Sequence, residues 1–134
     1  MAYWLLKTEP DSYSYADLER DGETRWDGVR NATALQHIRA MQSGDTAVIY
    51  HSGDERQAVG VTTVTTEPYA DPEAGDPRWA VVDVRAERRL DPPVPLAKLK
   101  ADPLFADSPL VRISRLSVVP LTEAQFQAIV GEQT

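Results

Sequence analysis

The sequence predicts an α+β fold in which a curved sheet or small β-barrel carries short helices packed on it. Two patterns favour this class: short strand-like segments outnumber long helical ones, and strands and helices do not alternate regularly. The length agrees, because 134 residues of 42% hydrophobic composition suffice for one core. We therefore expect a single domain over residues 1–134.

Strands are predicted where β-branched and aromatic residues cluster or alternate with polar residues. The first such segment ends before Pro10, which cannot donate to a strand ladder. The fourth places Val82, Val84 and Ala86 on one face, so we expect that face to be buried. The predicted strands are residues 3–6, 46–50, 58–66, 79–88 and 110–119, with a surface loop at 68–77 and an extended spacer at 92–95.

Helices are predicted from capping signals that precede apolar residues at helical spacing. Ser14 and Asp17 form a capping-box pattern for a short first helix, and Thr122 and Gln125 form another near the C-terminus. A further short helix is expected over residues 96–101. The second helix would be capped by Asn31 or Thr33, and the buried faces of the second and last helices would be Leu35, Ile38 and Met41, and Phe126, Ile129 and Val130.

Composition excludes several kinds of site. The chain contains no cysteine, so disulfides and thiolate metal sites are excluded. No apolar run approaches the ~20 residues that a membrane helix needs, and Met1 is followed directly by a strand-like segment rather than a signal peptide. The expectation is a soluble cytoplasmic monomer without a membrane partner. No metal-ligand cluster or phosphate loop is visible, so no cofactor is predicted.

The net charge of −7 argues against broad, non-specific binding to nucleic acid, which depends on neutralising phosphates with basic surface. An acidic chain can still hold a pocket that recognises one base with help from a local basic rim. Lysine is rare and occurs only at Lys7, Lys98 and Lys100.

Residues 26–31 are the strongest candidate for a binding segment. They read Trp-Asp-Gly-Val-Arg-Asn, which combines a large flat ring with planar hydrogen-bonding groups. The glycine permits a close approach to a ligand or a backbone angle closed to other residues. One wall of a pocket for a planar polar ligand, such as a nucleobase, is the functional interpretation. A buried tryptophan beside an Asp-Gly turn is the structural interpretation.

Four blocks resemble the EVE domain family, and they occur in the family's order. Residues 3–10 resemble its opening Tyr-Trp-Leu-x-Lys-Ser/Thr-Glu-Pro, and residues 26–31 its Trp-Asp-Gly-Val-Arg-Asn block. Residues 50–52 resemble its Tyr-His-Ser, and residues 114–118 its Ser-Arg-Leu-Ser-Val. The sequence departs from many relatives at residues 32–36, where Ala-Thr-Ala-Leu-Gln lacks their basic and aromatic groups.

The resemblance implies a PUA-like mixed β-barrel with short helices. It also implies a partner, a nucleic acid carrying a modified base, such as a modified cytosine in DNA or RNA, that is flipped into an aromatic and polar pocket. No catalytic residue is implied. Carried onto this sequence, the ligand-binding residues would be Lys7, Thr8, Trp26, Gly28, Val29, Arg30, Asn31, His51, Ser52, Arg115, Leu116 and Ser117.

Several of these residues also have a purely structural interpretation. Trp26 can be core, as we expect for Trp4 and Trp79, because aromatic residues in strands are usually buried. Arg30 can pair with Asp27 or another carboxylate and so hold a loop in place.

The polar members of the set are open to the same interpretation. His51 can be a satisfied structural imidazole at the end of a strand. Asn31 can serve only as a helix cap, and Ser117 can bond to backbone instead of a ligand. If the binding interpretation holds, the ring of Trp26 borders an open cavity with the Asn31 and Ser117 side chains nearby.

Two further functions are compatible with the sequence. Some ASCH-type relatives hydrolyse acylated cytidine with a Lys and a Thr near the first strand, and Lys7, Thr8 and Glu9 offer matching groups. Their adjacency counts against this, because Lys7 and Glu9 would share one strand face and Thr8 the other. The second is a protein-interaction module with an empty pocket, which the acidic surface favours.

Overall fold

A seven-stranded mixed sheet forms the frame of the molecule. The computed structural model describes residues 1–131. Short helices accompany the sheet, so the predicted α+β class is confirmed. The strands are β1 (Tyr3–Thr8), β2 (Glu23–Trp26), β3 (Thr46–His51), β4 (Gln57–Val64), β5 (Tyr69–Ala70), β6 (Ala80–Pro95) and β7 (Val118–Leu121).

The strand order is β2-β6-β4-β3-β1-β7, and β5 pairs with β6. Strands β1 and β3 run parallel, with Leu5 opposite Val48, whereas every other pairing is antiparallel. A parallel pair needs a long crossover connection, and residues 9–45 supply it. The carboxyl ends of β1 and β3 therefore meet, with Thr8 opposite His51.

The predicted helix caps are confirmed. The Ser14 side chain accepts from the Asp17 amide and the Asp17 side chain accepts from the Ser14 amide, and Thr122 and Gln125 repeat this exchange. Pro95 precedes the third helix without a side-chain cap. The helices are α1 (Tyr15–Asp21), α2 (Ala32–Ala40), α3 (Leu96–Lys100), α4 (Pro109–Arg112) and α5 (Glu123–Val130), with a 3₁₀ turn at Pro103–Phe105.

The core lies between the sheet and the helices. Leu5 and Leu6 of β1 are fully buried, as is Tyr15 at the start of α1. Trp4 is also core, as predicted, and its indole Nε1 donates to the buried carboxylate of Asp45 at 3.0 Å. The predicted inner faces of the second and last helices are all buried, namely Leu35, Ile38 and Met41, and Phe126, Ile129 and Val130.

The prediction of a last strand over residues 110–119 is wrong for most of that segment. Ser108 accepts from the Leu110 amide and Pro109 occupies the first helical position, so α4 begins there. A turn follows, and only Val118 and Val119 of the predicted segment belong to β7. Arg115 and Ser117 consequently lie in a loop.

Strand β2, which ends at Trp26, was not predicted. Thr24 and Arg25 are only half-buried, so β2 lacks the continuous apolar signal of a central strand, and its pairing with β6 defines it. Strand β6 is longer than predicted because the proline-rich segment 92–95 continues it as far as its pairing with Gln57 and Ala58. The predicted 68–77 loop contains the two-residue strand β5.

Within residues 1–131, none of the helices has the length and apolar character required to cross a membrane.

Candidate nucleic-acid interface

Trp26 ends strand β2 beside an aromatic neighbour. Its register with Val82 holds the residue against β6, and the side chain is only 7% exposed. The ring of Tyr13 meets the indole edge-on, with centroids 6.4 Å apart and planes at 80°. The Tyr13 hydroxyl donates to Asp21 Oδ2 at 2.7 Å, which fixes the ring at this position. Trp26 therefore packs in the core and also forms one wall of a cavity.

A cavity of about 480 Å³ opens beside this wall. We call it the Trp26 cavity. Its aromatic side is joined by hydroxyl groups, one carboxylate and one guanidinium, so it can accept a flat ring and bond to the polar edge of that ring. It is lined by Thr8, Ser12, Tyr13, Thr24, Arg25, Trp26 and Asp27. A cavity beside the indole agrees with the sequence expectation.

The cationic group of this cavity is already neutralised. Arg25 Nη1 lies 3.0 Å from Glu73 Oε2 and 3.4 Å from Asp71 Oδ1, and Nε donates to the Tyr69 hydroxyl at 3.3 Å. The segment around β5 therefore holds Arg25 in place. Asp27, by contrast, is exposed and makes no ion pair among residues 1–131. Its carboxylate is an acceptor that a ligand in the cavity can use.

The rest of the 26–31 block serves the backbone and the core. Gly28 has φ of +81°, a value that favours glycine, and open space around its Cα. Val29 is 7% exposed and belongs to the core. The Asn31 side chain accepts from the Ala34 amide at 3.0 Å and caps α2. In the described chain, neither Asn31 nor Ser117 lines the Trp26 cavity.

Arg30 makes a contact that the sequence did not indicate. Its guanidinium carbon lies 4.6 Å from the centre of the Trp79 ring, and that of Arg78 lies 5.0 Å from the same centre. Arg39 donates to the backbone oxygen of Arg78 at 2.6 Å. Trp79 is half-buried and packs against the core as it forms this contact. These arginines line a second concave surface of about 310 Å³.

His51 is fully engaged by the protein. Its Nε2 accepts from the Tyr15 amide at 3.0 Å, so the proton is on Nδ1, which lies 2.9 Å from Glu55 Oε1. The imidazole side chain is 9% exposed. The bond from His51 holds the pKa of the Glu55 carboxyl below its usual value. This arrangement corresponds to the structural interpretation of His51.

The two neighbours at the end of β1 face different cavities, as the strand geometry predicts. Thr8 lines the Trp26 cavity, and its hydroxyl donates to the Tyr13 backbone oxygen at 2.8 Å. Lys7 faces a cavity of about 200 Å³, which we call the Lys7 cavity. The Lys7 cavity is lined by Lys7, Tyr50, Ser52, Gly53, Arg56, Leu96, Lys100, Leu110, Val111 and Ser114.

Residues 115–117 line neither the Trp26 cavity nor the Lys7 cavity. Leu116 is 3% exposed and packs in the core. The Ser117 backbone oxygen accepts from the Lys7 amide at 2.9 Å, which continues the pairing of β1 with β7. Arg115 is exposed in the turn that precedes β7. The predicted residues are thus divided between two cavities, the core and the backbone network.

Sequence reasoning missed Ser12, Tyr13, Thr24 and Arg25 in the Trp26 cavity and Arg56 and Lys100 in the Lys7 cavity. A predicted strand over residues 23–26 would have placed Thr24 and Trp26 on the same face, but the segment lacks the apolar pattern that predicts a strand. Arg56 and Lys100 are 44 positions apart and come together only through the pairing of β4 with the end of β6.

Known proteins resemble this chain over nearly its whole length. The family model described as EVE domain matches residues 2–132. Thymocyte nuclear protein 1 of Mus musculus is 33% identical over 164 aligned residues, which cover 96% of this chain and 72% of that protein. The NMR structure of Rpa0253 from Rhodopseudomonas palustris is 39% identical, with a TM-score of 0.91, and the match covers 97% of this chain and 91% of that one.

One similar structure contains a nucleic acid. The human THYN1 protein was crystallised in complex with 5-methylcytosine-containing DNA; it is 30% identical with a TM-score of 0.88, and the match covers 97% of this chain and 96% of that one. The family match, the curated relative and these two structures agree with the four sequence blocks. The chain belongs to the EVE domain family.

Proposed function

We propose that this protein binds DNA carrying a modified cytosine and holds the flipped base in the Trp26 cavity, without chemical turnover. The observation that carries the proposal is a cavity of about 480 Å³ in which an aromatic pair faces hydroxyls and an exposed carboxylate. The human relative's complex with 5-methylcytosine-containing DNA supports the same class of ligand.

The chemistry of the cavity favours cytosine. The Asp27 carboxylate only accepts hydrogen bonds at neutral pH, and the exocyclic amine of cytosine is a donor that carboxylates pair with. Ser12 and Thr24 add hydroxyls that either donate or accept. Thymine presents a carbonyl at the position of the amine, so it would face Asp27 with two acceptors opposed.

The cost of flipping a base and the gain from binding it are similar in size, so small differences between bases can decide which base is bound. Flipping a base costs a few kcal/mol, and contact with an aromatic side chain returns about 1–3 kcal/mol per base. Trp26 is 7% exposed, so little of the indole surface is open to the base, and the ring of Tyr13 supplies further aromatic contact. One buried methyl group contributes about 0.8 kcal/mol, which is a preference of roughly fourfold for the methylated base.

The hydrolase alternative requires Lys7 to activate Thr8. The two side chains face different cavities, and the Thr8 hydroxyl is bonded to the Tyr13 backbone oxygen. Binding without turnover is therefore the better-supported function.

The direct test is affinity for matched duplexes and single strands that differ at one cytosine, measured by fluorescence anisotropy, with RNA of the same sequence in parallel. Ser12 is exposed at the cavity, so Ser12→Trp fills the opening without disturbing the core. We expect this variant to lose the preference for 5-methylcytosine. Gln127→Trp, on the exposed face of α5, is the matched control and should bind as the parent does.

A second variant tests the role of the carboxylate. Asp27→Ala should bind modified cytosine more weakly and lose discrimination against thymine at the same position. The proposal would be contradicted if the parent protein bound methylated and unmethylated DNA equally. It would also be contradicted if the Ser12→Trp variant kept the parent's preference for methylated DNA.

A further inference from the structure

The Lys7 cavity concentrates positive charge on an acidic protein. The chain has a net charge of −7, yet Lys7, Arg56 and Lys100 all line this one cavity. None of the three forms an ion pair with a carboxylate in residues 1–131. Other basic residues of the chain do pair with a carboxylate, namely Arg20, Arg25, Arg78, Arg85, Arg89 and Arg112.

Lys7 is the half-buried member of the group. Its Nζ donates to the Ser114 backbone oxygen at 2.9 Å and lies 5.6 Å from the centre of the Tyr50 ring. Burial lowers the pKa of Lys7. A partly desolvated ammonium group without a carboxylate partner is stabilised by an anion beside it.

Arg56 is held at the cavity by an unusual backbone. Its φ is +48°, in the left-handed region that residues other than glycine seldom adopt. Its backbone oxygen accepts from the Leu96 amide at 2.9 Å, which ties the loop before β4 to the helix that carries Lys100. The Arg56 charge also opposes the rise that burial causes in the pKa of the Tyr50 hydroxyl. Strained backbone of this kind concentrates at binding sites.

Each of the two cavities includes a residue from the carboxyl end of β1. Thr8 and Lys7 are consecutive residues whose side chains line the Trp26 cavity and the Lys7 cavity respectively. The Ser52 amide donates to the Thr8 backbone oxygen at 2.9 Å, so the Ser52 wall of the Lys7 cavity is attached to the same strand end. A nucleotide strand that places a base in the Trp26 cavity has to pass around the end of β1 to reach the Lys7 cavity.

We propose that the Lys7 cavity binds a phosphoryl group through Lys7, Arg56 and Lys100. The proposed source is the phosphodiester backbone beside the flipped base, and this identification of the source rests on the proposed function. A free nucleotide's phosphate has the same chemistry and is distinguished by experiment. Guanidinium and ammonium groups together suit a phosphate, because one supplies a planar pair of donors and the other a point charge.

The first experiment measures the salt dependence of DNA binding. Lys100→Ala and Arg56→Gly each remove a charge from the cavity, and glycine at position 56 tolerates the positive φ. Each variant should weaken binding to methylated and unmethylated DNA equally and lower the slope of log K against log salt by about one. Lys98→Ala is the matched control, because Lys98 is exposed on the same helix and does not line the cavity.

A second experiment examines the cavity without DNA. Inorganic phosphate titrated into the ¹⁵N-labelled protein should shift the amide signals of Ser52, Gly53 and Arg56, and Lys100→Ala should weaken this response. Titrations of 5-methyldeoxycytidine with and without a 5′-phosphate then identify the source. If only the 5′-phosphorylated nucleoside binds, and Lys100→Ala and Arg56→Gly do not change the salt slope of DNA binding, the phosphoryl site is supported. Its assignment to the DNA backbone is then overturned.

The two proposals fail in different ways. If Lys100→Ala and Arg56→Gly leave the DNA affinity and salt slope unchanged and phosphate shifts no cavity amide, the phosphoryl site is overturned, while loss of the 5-methylcytosine preference in Ser12→Trp still supports the base cavity. If the protein binds no modified DNA but phosphate shifts these amides, the proposed function fails and the phosphoryl site stands.

Discussion

The phenol ring of Tyr15 occupies the space that a side chain at position 60 would need. A Cβ atom on Gly60 would overlap ring carbons of Tyr15, which is fully buried. The Tyr15 hydroxyl lies 2.8 Å from the Val61 backbone oxygen and 2.9 Å from that of Arg88. The absence of a side chain at position 60 therefore lets α1 pack onto β4 and β6.

Gly60→Ala should destabilise the protein by about 1–3 kcal/mol, because the ring and strand must separate to admit the methyl group. Chemical denaturation measures the effect. In a Tyr15→Ala background the same substitution should cost much less, since the clash is gone. Equal costs in both backgrounds would show that the ring is not the obstacle.

The features that could be predicted from the sequence depend on residues that lie close together in the chain. The Ser14–Asp17 exchange lies within three residues, and its spacing alone indicates the cap. The stacking of Arg30 on Trp79 depends on two segments 49 positions apart, and nothing near Arg30 in sequence favours Trp79 over a carboxylate. Of the residues that the family blocks indicated, Thr8 and Trp26 line the Trp26 cavity and Lys7 and Ser52 line the Lys7 cavity. Further lining residues come from strand β2 and from the loop that carries Arg56, and the blocks do not include them.

Asp45 links the N-terminus to the core, and its carboxylate is essential for this. Oδ1 accepts from the Ala2 amide and Oδ2 from the Trp4 indole and the Gln42 amide, each at 3.0 Å. Asp45→Asn replaces one acceptor by a donor, so at least one buried donor is left unmet, at a cost of about 1–3 kcal/mol. Thermal unfolding with near-ultraviolet dichroism of Trp4 checks this. An unchanged melting temperature would contradict it.

His51→Ala should affect folding rather than ligand binding. The substitution leaves the Tyr15 amide without its acceptor inside the protein, which costs about 1–3 kcal/mol. DNA affinity, measured at a temperature where the variant is fully folded, should match that of the parent. A stable variant that no longer binds DNA would instead assign the imidazole to the ligand.

Glu55 should contribute to acid sensitivity. Its hydrogen bond from His51 lowers its pKa below the ordinary 4.5, so the folded state binds this proton less readily than the unfolded state. The contribution is complete above pH 4.5 and is lost as the pH falls through the lower folded value. Glu55→Gln retains an acceptor for His51 but does not titrate. Its stability should therefore fall less steeply on acidification than that of the parent, and parallel curves would contradict the linkage.

Asn31 offers a way to separate capping from recognition. Its side-chain oxygen caps α2 through the Ala34 amide, while its amide nitrogen remains the group that a ligand would use. Asn31→Ala should lose about 0.5–2 kcal/mol of stability, whereas Asn31→Ser keeps a capping oxygen and should retain most of it. Because serine lacks the amide nitrogen, the DNA affinity of Asn31→Ser shows whether Asn31 also contacts the ligand. The described geometry places Asn31 outside the Trp26 cavity, so we expect this variant to bind modified DNA as the parent does. A well-folded Asn31→Ser protein with weakened binding would place the amide nitrogen at the ligand and extend the interface from Trp26 to the start of α2.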